Sequence, residues 1–220
     1  GIGNNPFIKL FPQEYYKYHP VIDYTSVGSH VKNIVPLDYF GFRNETDLYF
    51  VKYRTYKLVV ITGGSEVAGY THLTTIAQHL EEYLNSASKI KYKVINLGSN
   101  SYTLINEIKV YVHLVYHLKP EIVISHTGWN DFHLGSFIPY KFTNLGLNFV
   151  PESRIWANKF SKTNFPISYG FNYIGLSEIV PAFIQNIIKY KKIVESNNGR
   201  FIIGIQPFDK ISVKAKGDYD

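Results

Sequence analysis

The chain of 220 residues contains no cysteine. That excludes disulfides, thiolate catalysis and cysteine-ligated zinc, and it is compatible with any redox compartment. Methionine is absent too, and the opening Gly1-Ile2-Gly3-Asn4-Asn5 reads as a trimmed start rather than a native terminus. Charged residues are sparse, at 18%, whereas 45% of the chain is hydrophobic. That balance argues against disorder and allows one globular domain with a sizeable core. Long apolar runs are missing as well. Stretches such as Leu58-Val59-Val60-Ile61 fall far short of the roughly 18 residues of a membrane span, so no transmembrane segment is expected. The net charge of +6 comes from scattered Lys and Arg, with the densest cluster at Lys189, Lys191 and Lys192. No nucleic-acid partner is expected from so diffuse a distribution. Repeats and low-complexity tracts are also lacking. Aromatic residues are abundant: 19 Tyr and 15 Phe suit flat ligands such as carbohydrates as well as they suit an aromatic-rich core.

Four short runs rich in β-branched residues read as strands: 57–62, 92–97, 121–126 and 200–205. Their centres are continuously apolar rather than alternating, the pattern of strands buried on both faces of a parallel sheet. Helical periodicity lies between them. Leu73, Ile76, Ala77, Leu80 and Leu84 form one stripe, and Ile105, Ile108, Val112 and Val115 a second. A third helix covers Leu176 to Val194, with Ile179, Phe183, Ile187 and Tyr190 on one stripe, and Asn197-Asn198-Gly199 closes it. Pro120 ends the second helix just before a strand. Strand and helix alternate, which predicts βαβ units with right-handed crossovers and an α/β fold, a three-layer α/β/α sandwich around a parallel sheet. In such sheets ligands bind at the carboxyl ends of the strands. Residues 1–50 are expected to form a lead-in packed on the core of a domain spanning 51–220. Residues 132–172, with Pro139, Pro151 and Pro166, break the alternation and are expected to be an insertion or lid that shapes the pocket.

Three turns follow the first three strands. Gly63-Gly64-Ser65-Glu66-Val67-Ala68-Gly69 lacks the Lys of a phosphate loop, since Tyr70 stands after its last Gly, and it lacks the Gly-x-Gly-x-x-Gly of a dinucleotide site. Val67 occupies the place where an α/β-hydrolase elbow needs Gly. What remains is a serine on a glycine turn, which by itself is no more than a helix N-cap. The second strand ends in Asn96-Leu97-Gly98-Ser99-Asn100-Ser101-Tyr102-Thr103, a turn of small residues able to offer backbone N–H groups to an anion. The third ends in His126-Thr127-Gly128-Trp129-Asn130-Asp131. Adjacent parallel strands would bring a serine, a free N–H and an asparagine amide to one sheet edge, the parts of a nucleophile and an oxyanion hole.

Gly-Gly-Ser, Asn-x-Gly-x-x-x-Tyr-Thr and Gly-Trp-Asn-Asp resemble the first three blocks of the SGNH hydrolases, the GDSL-like lipases and esterases. His19-Pro20-Val21-Ile22-Asp23-Tyr24 and Phe40-Gly41-Phe42-Arg43-Asn44 are similar to the lead-in of bacterial members found near envelope polysaccharide genes. The resemblance covers roughly residues 18–131, with the strand at 200–206 as a weaker continuation. It implies a flavodoxin-like fold and hydrolysis or transfer of acyl esters without a metal or cofactor, on a small molecule or glycan such as an acetylated sugar. It also implies the cell envelope or exterior ahead of the cytoplasm. By this resemblance Ser65 is the nucleophile and its own N–H an oxyanion donor. Ser101 stands at the usual glycine of the second block, its backbone N–H a second donor, and Asn130 gives its side-chain amide as a third. Asp131 positions the third turn, and Gly64 replaces the Asp of Gly-Asp-Ser. Gly98, Trp129 and His126 stand around the site in support or substrate-binding roles. The family's fourth block, Asp-x-x-His, supplies the general base. No His follows His133, so the resemblance places that block past Asp220, with Asp218 or Asp220 at its start. A chain without such a base would be an inactive carbohydrate-binding relative. A third reading keeps Ser65 but makes the chain an acyltransferase for an envelope glycan.

Other candidates read more plainly. His113 and His117 have the spacing of helical metal ligands, but with Asn106 and Lys109 they form a polar stripe that reads as a solvated face. His126 reads as a satisfied strand-end histidine or a lining residue. Glu66 reads as support for a helix start. Trp129 reads equally as the floor of a sugar pocket or as packing. Arg43 suits an acidic substrate group or an ordinary salt bridge.

Overall fold

A computed structural model of the chain describes residues 16–19, 23–26, 37–44, 55–69, 72–135 and 176–206. Only the backbone is described for the first two stretches and for 133–135 and 176–178. Almost all of the expected 132–172 insertion, and Asp218 and Asp220, therefore lie outside the described residues, as does the side chain of His133.

Strands β1 (Tyr16–His19) and β2 (Asp23–Ser26) form a small antiparallel pair. The central sheet contains β3 (Lys57–Gly63), β4 (Tyr92–Gly98), β5 (Ile122–Thr127) and β6 (Arg200–Ile205), all parallel. Its spatial order is β4-β3-β5-β6. Counted within this sheet the order is second, first, third, fourth, the doubly wound arrangement of flavodoxin-like folds. β3 is buried along its whole length after Lys57, as its apolar run predicts. β5 instead alternates between half-buried and buried, and β6 is partly exposed along its length. The β-branched runs predict the strands correctly, but continuous burial belongs to β3 and to the last five residues of β4, not to β5 or β6.

The two faces carry separate cores. Helix α1 is one turn, Ser65–Ala68, and α2 is Ile76–Ala87. Val67 and Ala77 join Val59, Ile61 and Val94 on the first face. On the other face α3 (Leu104–Val110) and α5 (Leu176–Ser196) pack Leu104, Val110, Ile179, Phe183, Tyr190 and Val194 against Leu58, Val60 and Val123. Helix α4 (Trp129–Gly135) follows β5. The layers are therefore α/β/α.

Two helical stripes differ from their expected phase. Thr75 caps α2 with a reciprocal bond pair to Gln78, so the helix begins at Ile76 and Leu73 lies outside it, 85% exposed. In α3 the buried line is Leu104, Glu107, Tyr111, Val115 and Leu118, whereas Val112 is exposed. A charged residue at a core position hides this line, and a π turn over Tyr111–Val115 followed by a 3-10 turn over Tyr116–Leu118 shifts its phase. Asn106 is likewise not on a solvated face. It is fully buried and closes the α3 cap with Thr103, whereas His113 and His117 are exposed.

The lead-in residues 37–44 brace the sheet. Arg43 is buried, and its guanidinium donates to the carbonyls of Gly69 and Leu73, so it pins the loop after α1. Asn44 turns its side-chain amide to the outer edge of β4. Its Oδ1 accepts from Asn96 N–H at 2.8 Å, and its Nδ2 donates to Asn96 O at 2.9 Å.

Candidate active site

The winding direction changes between β3 and β5, so the connections that leave their carboxyl ends diverge and open a crevice. The turn after β3 carries Ser65, and the turn after β5 carries Asn130. The turn after β4 carries Ser101, beside the first. Ser65 opens α1, is exposed, and its hydroxyl bonds no described residue. Its N–H lies in the first turn of a helix, where no intrahelical acceptor exists. Gly64 before it is extended, at φ −81° and ψ −151°.

The second turn is fastened to the end of β3. Ser99 N–H donates to Gly63 O at 3.1 Å, and Tyr102 N–H donates to Ser99 O at 3.2 Å. Ser101 between them has φ +61°, a left-handed conformation. A residue with a Cβ pays roughly 1 kcal/mol for it, which gives a backbone reason for the glycine expected there by resemblance. The N–H of Ser101 bonds no described residue.

Asn130 joins all three turns. Its Nδ2 donates to Tyr102 O at 2.8 Å. A Cβ built on Gly64 would stand 2.5 Å from that same Nδ2. The amide therefore lies against the bare backbone beside Ser65. A side chain at position 64 would crowd the Asn130 amide in its present place. One of the two amide hydrogens is used by Tyr102, which leaves the second for a ligand. Replacing Gly64 with Ala is expected to displace Asn130, and a shift of the Asn130 side-chain amide resonance relative to the parent chain measures it.

Asp131 is buried and does not reach solvent. Its carboxyl accepts from Leu104 N–H at 3.0 and 3.2 Å and from Thr127 Oγ1 at 3.2 Å, which ties the third turn to the start of α3. Trp129 is half-buried, and its backbone N–H donates to Gln206 Oε1 at 3.3 Å, which ties the same turn to the end of β6. His126 pairs with Gly63 and Gly204 in register. Its neighbour Ser125 points toward α3, so the His126 ring lies on the opposite face, against Gly204. Gly98 lies at the end of β4, under α1. Glu66 is exposed in the first turn of α1.

One site residue was not legible in the sequence. Glu107 is completely buried, and its Oε2 accepts from Thr62 Oγ1 and from Ser125 Oγ, each at 2.6 Å. The available signal was a carboxylate three residues after Leu104 and four before Tyr111, on a line that is otherwise apolar. Burial raises its pKa, against hydrogen bonds from Ser125 and Thr62. Burial, and then the nearby Glu107, push Asp131 from the ordinary 3.8 up to about 8, against hydrogen bonds from Leu104 and Thr127.

These shifts have a stability consequence. Between pH 4 and 8 the folded chain holds a proton on Asp131 that the unfolded chain has released. The contribution of this group is therefore full below about pH 4, is lost as pH rises toward 8, and stays constant above that. At about 1.4 kcal/mol per pKa unit, a loss of about 2–4 kcal/mol between pH 5 and 9 is expected. Denaturant titrations across that range should show the decline, and Asp131→Asn, which keeps an acceptor for Leu104, should flatten most of it. An equal slope in both proteins would refute the assignment.

A separate polar cleft of about 240 Å³ lies at the α2–β4 edge, lined in part by Arg43, Asn44, Gln78, Glu81 and Lys93. In it Glu81 is already held by Lys93 at 3.1 Å and Val94 N–H at 2.8 Å. Among the described residues no His, Cys, Asp and Glu cluster could hold a metal ion, and no helix is long and apolar enough to cross a membrane.

The structure is similar to that of Axe2, an acetylxylan esterase from Geobacillus stearothermophilus, at 18% identity and a TM-score of 0.37, over 68% of this chain and 77% of that one. It is similar to AlinE4, an SGNH-hydrolase family esterase, at 19% identity and a TM-score of 0.37, over 76% of this chain and 86% of that one. A third similar structure is the acetyl xylan esterase AlAXEase, at 15% identity and a TM-score of 0.37, over 66% of this chain and 76% of that one. No protein-family model and no curated protein matches the chain.

Proposed function

We propose that this chain is a serine-dependent hydrolase of acyl esters, of SGNH type, with Ser65 as the nucleophile. The observation that carries the reading is the seat of Asn130: its amide lies against Gly64 and spans to Tyr102, so one side chain joins the serine turn to the Ser101 turn. In this reading Ser65 Oγ attacks the ester carbonyl, and the N–H groups of Ser65 and Ser101 with the second Asn130 amide hydrogen receive the oxyanion. The alcohol leaves, water cleaves the acyl-Ser65 ester, and the carboxylic acid is released. Each half needs a base to take a proton and return it to the leaving group. The Ser65 hydroxyl bonds no described residue, so the reading assigns that role to a histidine outside the described residues. The substrate class of the reading is the acyl esters that the resemblance implies, O-acetyl groups on carbohydrate among them.

The test uses the natural full-length protein with a short-chain nitrophenyl ester and, separately, a fluorophosphonate. Turnover above buffer, with the phosphonate adduct mapped to the peptide holding Ser65, is the expected result. No turnover and no adduct would leave a glycan-binding domain in its place, and acyl transfer to an added sugar acceptor would favour the transferase.

A further inference from the structure

Glu107 is the most expensive side chain in the described core. Carboxylates are rarely buried completely without a paired cation, and among the described residues no Lys or Arg pairs with this one. An apolar residue of similar size is commonly as stable or more stable in such a place. Its Oε1 has no hydrogen-bond partner among the described residues, so the side chain is not there to satisfy itself. What it does is grip. From the first turn of α3 its Oε2 takes hydroxyl bonds from Thr62 on β3 and Ser125 on β5, which are register partners across the sheet. The Tyr190 hydroxyl stands 3.4 Å from Thr62 Oγ1 and closes the arrangement from α5.

These are the two strands between which the crevice opens. Thr62 lies three residues before Ser65, and Ser125 five before Asn130. The bonds continue into the turns. Thr127 donates to Asp131, and Asp131 holds Leu104 N–H, which begins the helix that carries Glu107. A closed ring of bonds thus runs from α3 through both central strands and back through the third turn. We infer that Glu107 is a positioning residue for the oxyanion site, setting the spacing of the Ser65 and Asn130 turns through Thr62 and Ser125. This rests on the ester-hydrolase reading above for its kinetic consequence, but its geometric consequence does not.

Glu107→Leu is expected to lower kcat about 10- to 100-fold with KM changed less than about threefold, because displacements near 1 Å at such a site cost that much. Glu107→Gln should restore kcat to within about threefold, since the amide oxygen still accepts from both hydroxyls. Val110→Ala, a cavity on the same helix away from the ring, controls for stability: at the same loss of Tm it should keep the parental kcat per folded molecule. Parental kcat in Glu107→Leu, or an equal kcat loss in Val110→Ala, overturns the inference. Should Glu107→Leu not fold, Ser125→Ala removes one grip and carries the same test, with a three- to tenfold drop in kcat expected and no drop overturning it. If the parent chain turns over no ester, the ester reading fails, and the Asn130 side-chain amide resonance decides the rest. Movement in Glu107→Leu but not in Glu107→Gln supports the positioning role, and an unmoved resonance in Glu107→Leu overturns it.

Discussion

Replacing Ser65 with alanine is expected to reduce hydrolysis of a short-chain ester by about 10³-fold or more, with little change in thermal stability. The two halves of that expectation have separate causes. Ser65 is exposed and its hydroxyl bonds no described residue, so its removal breaks no contact that holds the fold. Alanine is also the better helix former in α1, and the stability change should stay within about 0.5 kcal/mol. In the proposed reading the chemistry, in contrast, loses the atom on which the acyl group is carried. Asn130→Ala should behave differently. In the proposed reading it removes one oxyanion donor, for which about 10²-fold in kcat is expected, and it also removes the bond to Tyr102 O that holds two turns together. A loss of stability should therefore accompany the loss of rate. Parallel rate and unfolding measurements on both variants separate the roles, and equal rates from the parent and Ser65→Ala would end the nucleophile assignment.

Gly98→Ala is expected to be the most destabilising single methyl group that the described residues can receive near the site. The new Cβ would meet Ala68 N at 2.5 Å and the Val67 carbonyl carbon at 2.7 Å. Both are backbone atoms of α1, and Ala68 N–H already donates to Gly64 O at 3.0 Å, so no flexible side chain can move aside. Overpacking of this kind costs about 3 kcal/mol at the upper end of its usual range. A denaturant midpoint lowered by that amount with an unchanged slope would be the sign of it. Since α1 begins at Ser65, the residual folded protein should also turn over ester more slowly. A variant within about 0.5 kcal/mol of the parent would show that α1 can lift from β4.

The strands and the three turns were legible in the amino-acid sequence because each is local: a β-branched run followed by small residues. The candidate site followed from their order. What was not legible depends on which residue meets which across the fold. The line through Leu104, Glu107 and Tyr111 was read one residue out of phase, because a carboxylate in a core position looks like a surface residue until the hydroxyls of Thr62 and Ser125 are seen beside it. Leu73 fitted the periodicity of α2, but the Thr75 cap starts the helix after it. Arg43 was recognisable as notable, but two backbone carbonyls 26 and 30 residues away are not a partner that spacing can announce.

The amide of Asn44 has one more consequence. Among the described strands β4 is an outer member of the sheet, and an outer strand offers its free peptide groups to any passing chain. Asn44 answers the donor and the acceptor of Asn96 with its own carboxamide, as a peptide unit would, and then goes no further. It acts as a strand one residue long. A foreign strand laid along this border would find both peptide groups of Asn96 already bonded, before the turn that carries Ser101.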